Sequence, residues 1–134
     1  MKKESVFQSA VIRTVKNLLP GCLVLKLDPK YIQGIPDLLI LYGMTWAALE
    51  CKRTEGAHHQ PNQDYYIDKM SKMSFAAFIC PENVQQVLED MINYFDKVNN
   101  KNLTYEEFMQ LKNDDITVQT LLSQNNYVEA NGIA

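Results

Sequence analysis

Gly34-Ile35-Pro36-Asp37-Leu38-Leu39-Ile40-Leu41-Tyr42-Gly43-Met44-Thr45-Trp46-Ala47-Ala48-Leu49-Glu50-Cys51-Lys52 is the stretch that decides the fold. Leu38 to Tyr42 is a near-continuous apolar run, the pattern of a strand covered on both faces. Gly43-Met44-Thr45 makes a short turn into Trp46 to Lys52, a further strand, and the two read as a hairpin. Strand side chains alternate between faces, so Glu50 and Lys52 point together while Leu49 and Cys51 turn toward the core. Pro36 restricts Ile35 and keeps the chain extended as it enters the strand at Asp37. Gly34 can supply a backbone conformation closed to other residues.

Outward from this hairpin the periodicity changes. From Ser5 to Leu19, Phe7, Val11, Val15 and Leu18 recur at helical spacing, and Pro20-Gly21 closes that helix. Cys22 to Leu27 reads as the first strand, and Lys30 to Pro36 as a loop. Downstream, Arg53 to Gln60 is a polar loop containing His58-His59, and Pro61 suits the first turn of a second helix running to about Met73. Tyr66, Ile67, Met70 and Met73 form its inward face, with Gln63 on the same side one turn earlier. Phe75 to Cys80 is a fourth strand, stopped by Pro81. Val84, Val87, Leu88, Met91, Ile92 and Phe95 then mark a clean helical stripe. Asn99-Asn100-Lys101-Asn102 reads as a polar linker, Thr104 to Leu111 as a short capped helix, and Ile116 to Ser123 as a weak one. The expected organisation is a domain over residues 1–98 and a helical C-terminal extension over 99–134 with a frayed end.

A chain of 134 residues supports one domain with a respectable core. It has no run of about 18 apolar residues, which excludes a spanning helix. The N-terminus leads into an amphipathic pattern unlike a signal peptide, so a cytoplasmic location is expected. Cys22, Cys51 and Cys80 form no CxxC or CxxH pair and are expected to be reduced and partly buried. The net charge of −3 argues against a binder driven by charge alone.

Two carboxylates and an ammonium converging at the end of a sheet can hold a divalent cation and a water beside a phosphodiester. Asp37 is the expected central ligand, Glu50 the second carboxylate, and the Cys51 backbone carbonyl a further hard oxygen. Lys52 can position the attacking water or offset charge on the phosphate. Gln63 can donate one hydrogen bond and accept another, which suits an orienting role; Gln60 is its rival if the register slips by a turn. Glu4, one turn before Phe7, is either a favourable charge at a helix N-terminus or a third acid at the site. Lys26, Lys30, Arg53 and Lys69 are candidate phosphate contacts. Tyr31 is either a base-stacking group or a packed loop anchor. His58 and His59 are expected to be exposed and inert.

The order α-β-β-β-α-β, with Asp at the second strand and Glu-x-Lys in the third, resembles the PD-(D/E)XK nuclease superfamily. More narrowly, Gly34-Ile35-Pro36-Asp37-Leu38-Leu39-Ile40, Leu49-Glu50-Cys51-Lys52 and Pro61-Asn62-Gln63 look like its VRR-NUC (virus-type replication-repair nuclease) branch. The resemblance covers roughly residues 4 to 95. It implies an α/β, restriction-endonuclease-like αβββαβ core with a four-stranded mixed sheet flanked by helices, plus the C-terminal helical appendage. It further implies Mg2+- or Mn2+-dependent hydrolysis of DNA in phage-type replication, recombination or repair. Branched DNA enters as a preferred substrate and a homodimer as the cutting form, with no organic cofactor and no membrane partner. The family pattern supports a helix-borne acid at Glu4. Gly34, Lys26, Lys30, Tyr31 and Arg53 are the candidate DNA contacts. The alternative is a non-catalytic DNA- or protein-binding module built on the same fold. The complete Asp, Glu and Lys set speaks against that reading, because binding alone does not need all three.

Overall fold

A computed structural model describes residues 3–101 of the chain. The elements follow as α1 (Glu4–Leu18), β1 (Leu23–Lys26), β2 (Leu38–Tyr42), β3 (Thr45–Cys51), α2 (Gln63–Ser71), β4 (Phe75–Ile79) and α3 (Val84–Lys101). The sheet order is β1-β2-β3-β4. The first three strands are antiparallel and β4 runs parallel to β3, so the sheet is mixed and flanked by helices, as expected. Among the described residues no helix is long and apolar enough to cross a membrane.

Alternation along the strands divides the sheet into two unlike faces. Leu38, Ile40, Ala47, Leu49, Cys51 and Ile79 point to one side, where they join Phe7, Val11, Val15 and Leu19 from the α1 segment and Val87, Leu88, Met91 and Phe95 from α3 in a single buried cluster. Glu50 and Lys52 point to the other side, where α2 lies. The sole buried residue of α2 is the polar Gln63; Tyr66, Ile67 and Met70 are only half-buried. That helix covers the β3 and β4 half of its face, leaving Leu23, Leu25 and Leu41 exposed on the β1 and β2 half.

Four sequence expectations change. Leu18 is exposed and Leu19 buried, because the chain leaves helical geometry at Leu19 and swings that side chain inward. Pro61 lies ahead of α2, not in its first turn; Asn62 adopts a left-handed conformation (φ 72°) and the helix starts at Gln63. Met73 is exposed, because α2 ends at Ser71 and a turn carries the chain away from the sheet. Asn99 to Lys101 belong to α3 and not to a linker. The cause is a tertiary contact: Asn99 Oδ1 accepts the Met44 N–H at 2.8 Å, and its Nδ2 donates to the Tyr42 carbonyl at 3.3 Å. The helix thereby clamps the β2–β3 turn. The helical segments expected beyond Asn102 lie outside the described residues.

Candidate active site

The site forms where the C-terminal end of β3 meets the N-terminal end of β2. Asp37, immediately ahead of β2, accepts the Cys51 N–H on Oδ2 at 2.9 Å, and its carbonyl accepts the Leu27 N–H at 2.8 Å. An extended residue sends its N–H and C=O to the same edge. The Cys51 carbonyl therefore faces the Asp37 side. The ladder to β4 continues through the Lys52 N–H to the Ile79 carbonyl at 2.8 Å, which holds Lys52 on the face of Glu50.

Gln63 ties these groups together. Its Nε2 donates to Glu50 Oε2 at 2.9 Å, while its Oε1 accepts from Lys52 Nζ at 2.6 Å and from the Gln60 N–H at 2.8 Å. Lys52 Nζ also donates to the His58 carbonyl at 3.0 Å and lies 3.9 Å from Glu50 Oε2. Glu50, Lys52 and Gln63 are all buried. Burial without partners would be costly for such groups, so this network is what permits their placement. One atom stands outside it: Glu50 Oε1 is buried and has no hydrogen-bond partner.

The electrostatics follow from the geometry. Burial pushes the Glu50 carboxyl up to about 8, reinforced by the Asp37 charge and opposed by Lys52. Burial likewise raises Asp37, against the Cys51 N–H, Lys52 and the Gln8 amide, which all favour its ionised form. Asp37 and Glu50 lie close enough that the charge of Asp37 disfavours ionisation of Glu50. The Cys51 thiol is raised by burial and by the acids around it, so it stays protonated as core.

A cavity of about 370 Å³ opens above these atoms, lined by Glu4, Asp37, Glu50, Lys52 and Gln63, with Pro29, Gln33, Gly34, Ile35, His58 and Gln60 contributing the rim. Glu4 and Gly34 thus line the cavity. Lys26 does not: it pairs with Leu38 and shares that residue's face, away from Glu50. Lys30, Tyr31 and Arg53 are exposed and outside the lining. Lys69 lies over Tyr65 on the outer side of α2. His59 is not an inert exposed residue. It stacks on Phe78 with ring centroids 4.1 Å apart and bonds Asp64 at 2.7 Å, which pins the loop. Two contributors were missed. Gln8 follows Glu4 by one helical turn, a spacing that would have found it. The His58 carbonyl is a backbone group and leaves no sequence signal.

Among the described residues no three His, Cys, Asp or Glu side chains close around one point. The donors are two carboxylates and a backbone carbonyl, with Glu4 on the wall. Mg2+ commonly takes one or two carboxylates and keeps several waters, so this oxygen set fits a hard cation, and Glu50 Oε1 is an acceptor without a donor. Comparison with protein-family models, curated proteins and solved structures found no match.

Proposed function

We propose that the chain is a Mg2+- or Mn2+-dependent nuclease that hydrolyses DNA phosphodiesters, in keeping with its resemblance to VRR-NUC members of the PD-(D/E)XK superfamily. The observation that carries this reading is the unpartnered Glu50 Oε1, buried beside the raised Asp37 carboxyl under an open cavity. Asp37, Glu50 and the Cys51 carbonyl would hold a divalent cation, which would give that oxygen a partner and offset the charge of the two acids. When bound, the cation supplies Lewis-acid polarisation of the phosphate and activation of water.

The remaining work falls to this chain's own groups. Lys52 Nζ, held by Gln63 and His58, stands at the cavity wall where it can orient the attacking water and offset charge on the phosphate. Gln63 spaces Lys52 from Glu50 by bonding both, so that neither collapses onto the other. Water attacks phosphorus, the bond to the leaving oxygen breaks, and that oxygen takes up a proton. Phosphorylated and hydroxyl ends result.

The test is a gel assay of the full chain with Mg2+ or Mn2+ on duplex, single-stranded, flap and four-way DNA. Asp37→Asn and Lys52→Ala are each expected to reduce cleavage by about two orders of magnitude or more. Both should keep the circular dichroism of the parent. Parent-like cleavage by either variant overturns the assignment. Calorimetry with Mn2+ separates a nuclease from a binding module, since the module need show no uptake that Asp37→Asn abolishes. The same resemblance carries a homodimeric enzyme, and light scattering of the full chain reads its mass directly.

A further inference from the structure

Tyr31 is 86% exposed, the most solvent-facing of the large hydrophobic side chains among the described residues, and its ring pairs with no other aromatic there. A lone exposed tyrosine is ordinary on a protein surface. What sets this one apart is its mounting. The backbone beneath it is a built turn: the Tyr31 and Ile32 N–H groups donate to the Asp28 carbonyl at 3.0 and 3.4 Å, the Lys30 N–H donates to Asp28 Oδ1 at 2.8 Å, and the Ile35 N–H returns to the Ile32 carbonyl at 3.2 Å. The ring is thus not a packed loop anchor. It is a fixed turn's outward-facing group.

The turn stands at the mouth of the acidic cavity. Pro29 and Gln33, two residues to either side of Tyr31, both line it, as do Gly34 and Ile35. The Cα atoms of Pro29 and Gln33 lie within about 7 Å of that of Tyr31. The cavity wall carries Glu4, Asp37 and Glu50 against the single cation Lys52, and the chain as a whole is at −3. A continuous duplex is held mainly through its phosphates by many cations, and this rim offers few. A single strand can be held differently, because each unpaired base offers a π-face to an aromatic ring with little dependence on sequence. Inside a duplex those faces are covered by neighbouring bases.

We infer that the nucleotide flanking the reacting phosphate is unpaired and that its base stacks on Tyr31. This rests on the nuclease reading and narrows its substrate to single-stranded DNA or the single-stranded branch of a flap. Lys30, beside Tyr31, reaches the adjoining phosphate.

The experiment pairs a binding readout with a cleavage readout on the full chain. An oligonucleotide carrying 2-aminopurine at successive positions of a flap reports stacking by loss of fluorescence in Ca2+, and cleavage is followed in Mn2+. Quenching is expected at one position next to the cut. Tyr31→Ala should abolish that quenching and raise KM on single-stranded and flap DNA at least about fivefold, with kcat little changed. Tyr31→Phe, which keeps the ring, should match the parent. An abasic site at the quenched position should weaken the parent by a similar factor and add nothing to Tyr31→Ala. Equal cleavage of end-blocked continuous duplex, or a Tyr31→Ala variant indistinguishable from the parent, overturns the inference while leaving the nuclease reading intact. Tyr31-dependent quenching without cleavage in either metal overturns the nuclease reading instead. Absence of both quenching and cleavage removes both.

Discussion

Glu50 concentrates the chemistry of this molecule in one side chain. The residue is 3% exposed, its carboxylate bonded to Gln63 through one oxygen and to nothing through the other. Because burial raises its folded value to about 8 from 4.5, the folded chain holds the proton more tightly than the unfolded chain does. The contribution of this proton to stability is therefore complete below about pH 4.5 and is lost as pH rises toward 8. Its size is on the order of a few kcal/mol. Metal-free Glu50→Gln, which keeps an acceptor for Gln63, should lose much of that slope and be more stable than the parent near pH 8. Urea melts at several pH values check this, and equal slopes for the two proteins refute it. Gly34 is a second decisive residue. Its φ is +88°, and a Cβ there would come within 2.5 Å of the Asn62 Cβ and 2.8 Å of the Pro61 carbonyl oxygen. Two strained turns, one before β2 and one before α2, are thus pressed together at the cavity rim. Gly34→Ala should destabilise the chain by about 2 kcal/mol or more and loosen the Gln63 contact, read as a lower Tm together with weaker Mn2+ uptake.

At the scale of elements, the helices divide their duties. α1 and α3 bury apolar stripes, whereas α2 is anchored by a polar residue at its first position and half-buried groups behind it. Such a helix is held largely by the network it completes. The last turn of α3 shows the converse: Asn99 extends a helix into a stretch of polar residues because it caps the β2–β3 turn. Asn99→Ala removes two hydrogen bonds and should cost about 1–2 kcal/mol, measured by chemical denaturation. Strand β1, at the sheet edge, keeps Leu23 and Leu25 59% and 42% exposed on the half-face that α2 does not cover. Leu25→Lys there should change stability by no more than about 0.5 kcal/mol while improving solubility, since the leucine packs little and the edge is a template for association.

For the whole molecule, the mixed sheet acts as a partition. One face is a dry apolar core; the other gathers acids, an amine and an amide at one end. The partition predicts that core and site respond to different perturbations. Phe95→Ala should cost about 3–5 kcal/mol through the cavity it leaves, without regard to added metal. Mn2+ should stabilise the parent by about 2.7 kcal/mol at a hundred times its Kd, most readily near pH 8, where the proton it displaces is already loosely held. Asp37→Asn and Glu50→Gln should show little of that gain. Thermal melts with and without Mn2+ read both effects, and identical metal stabilisation in parent and variants would remove the cation from this site.

Much of this was legible in the chain because local chemistry set it. Leu38 to Tyr42 had to be a strand, Glu50 and Lys52 had to share a face two residues apart, and Pro81 had to stop β4. These follow from backbone period and side-chain character, which neighbours in sequence suffice to impose. The errors share a different origin. Leu18 against Leu19, the exposure of Met73 and the reach of α3 to Lys101 all depend on where an element meets another. So do the His58 carbonyl that holds Lys52 and the orphaned oxygen of Glu50. A sequence determines which groups can be brought near; burial, which sets their partners, their protons and the Glu50 oxygen left without a donor, arises only when distant segments pack and exclude water.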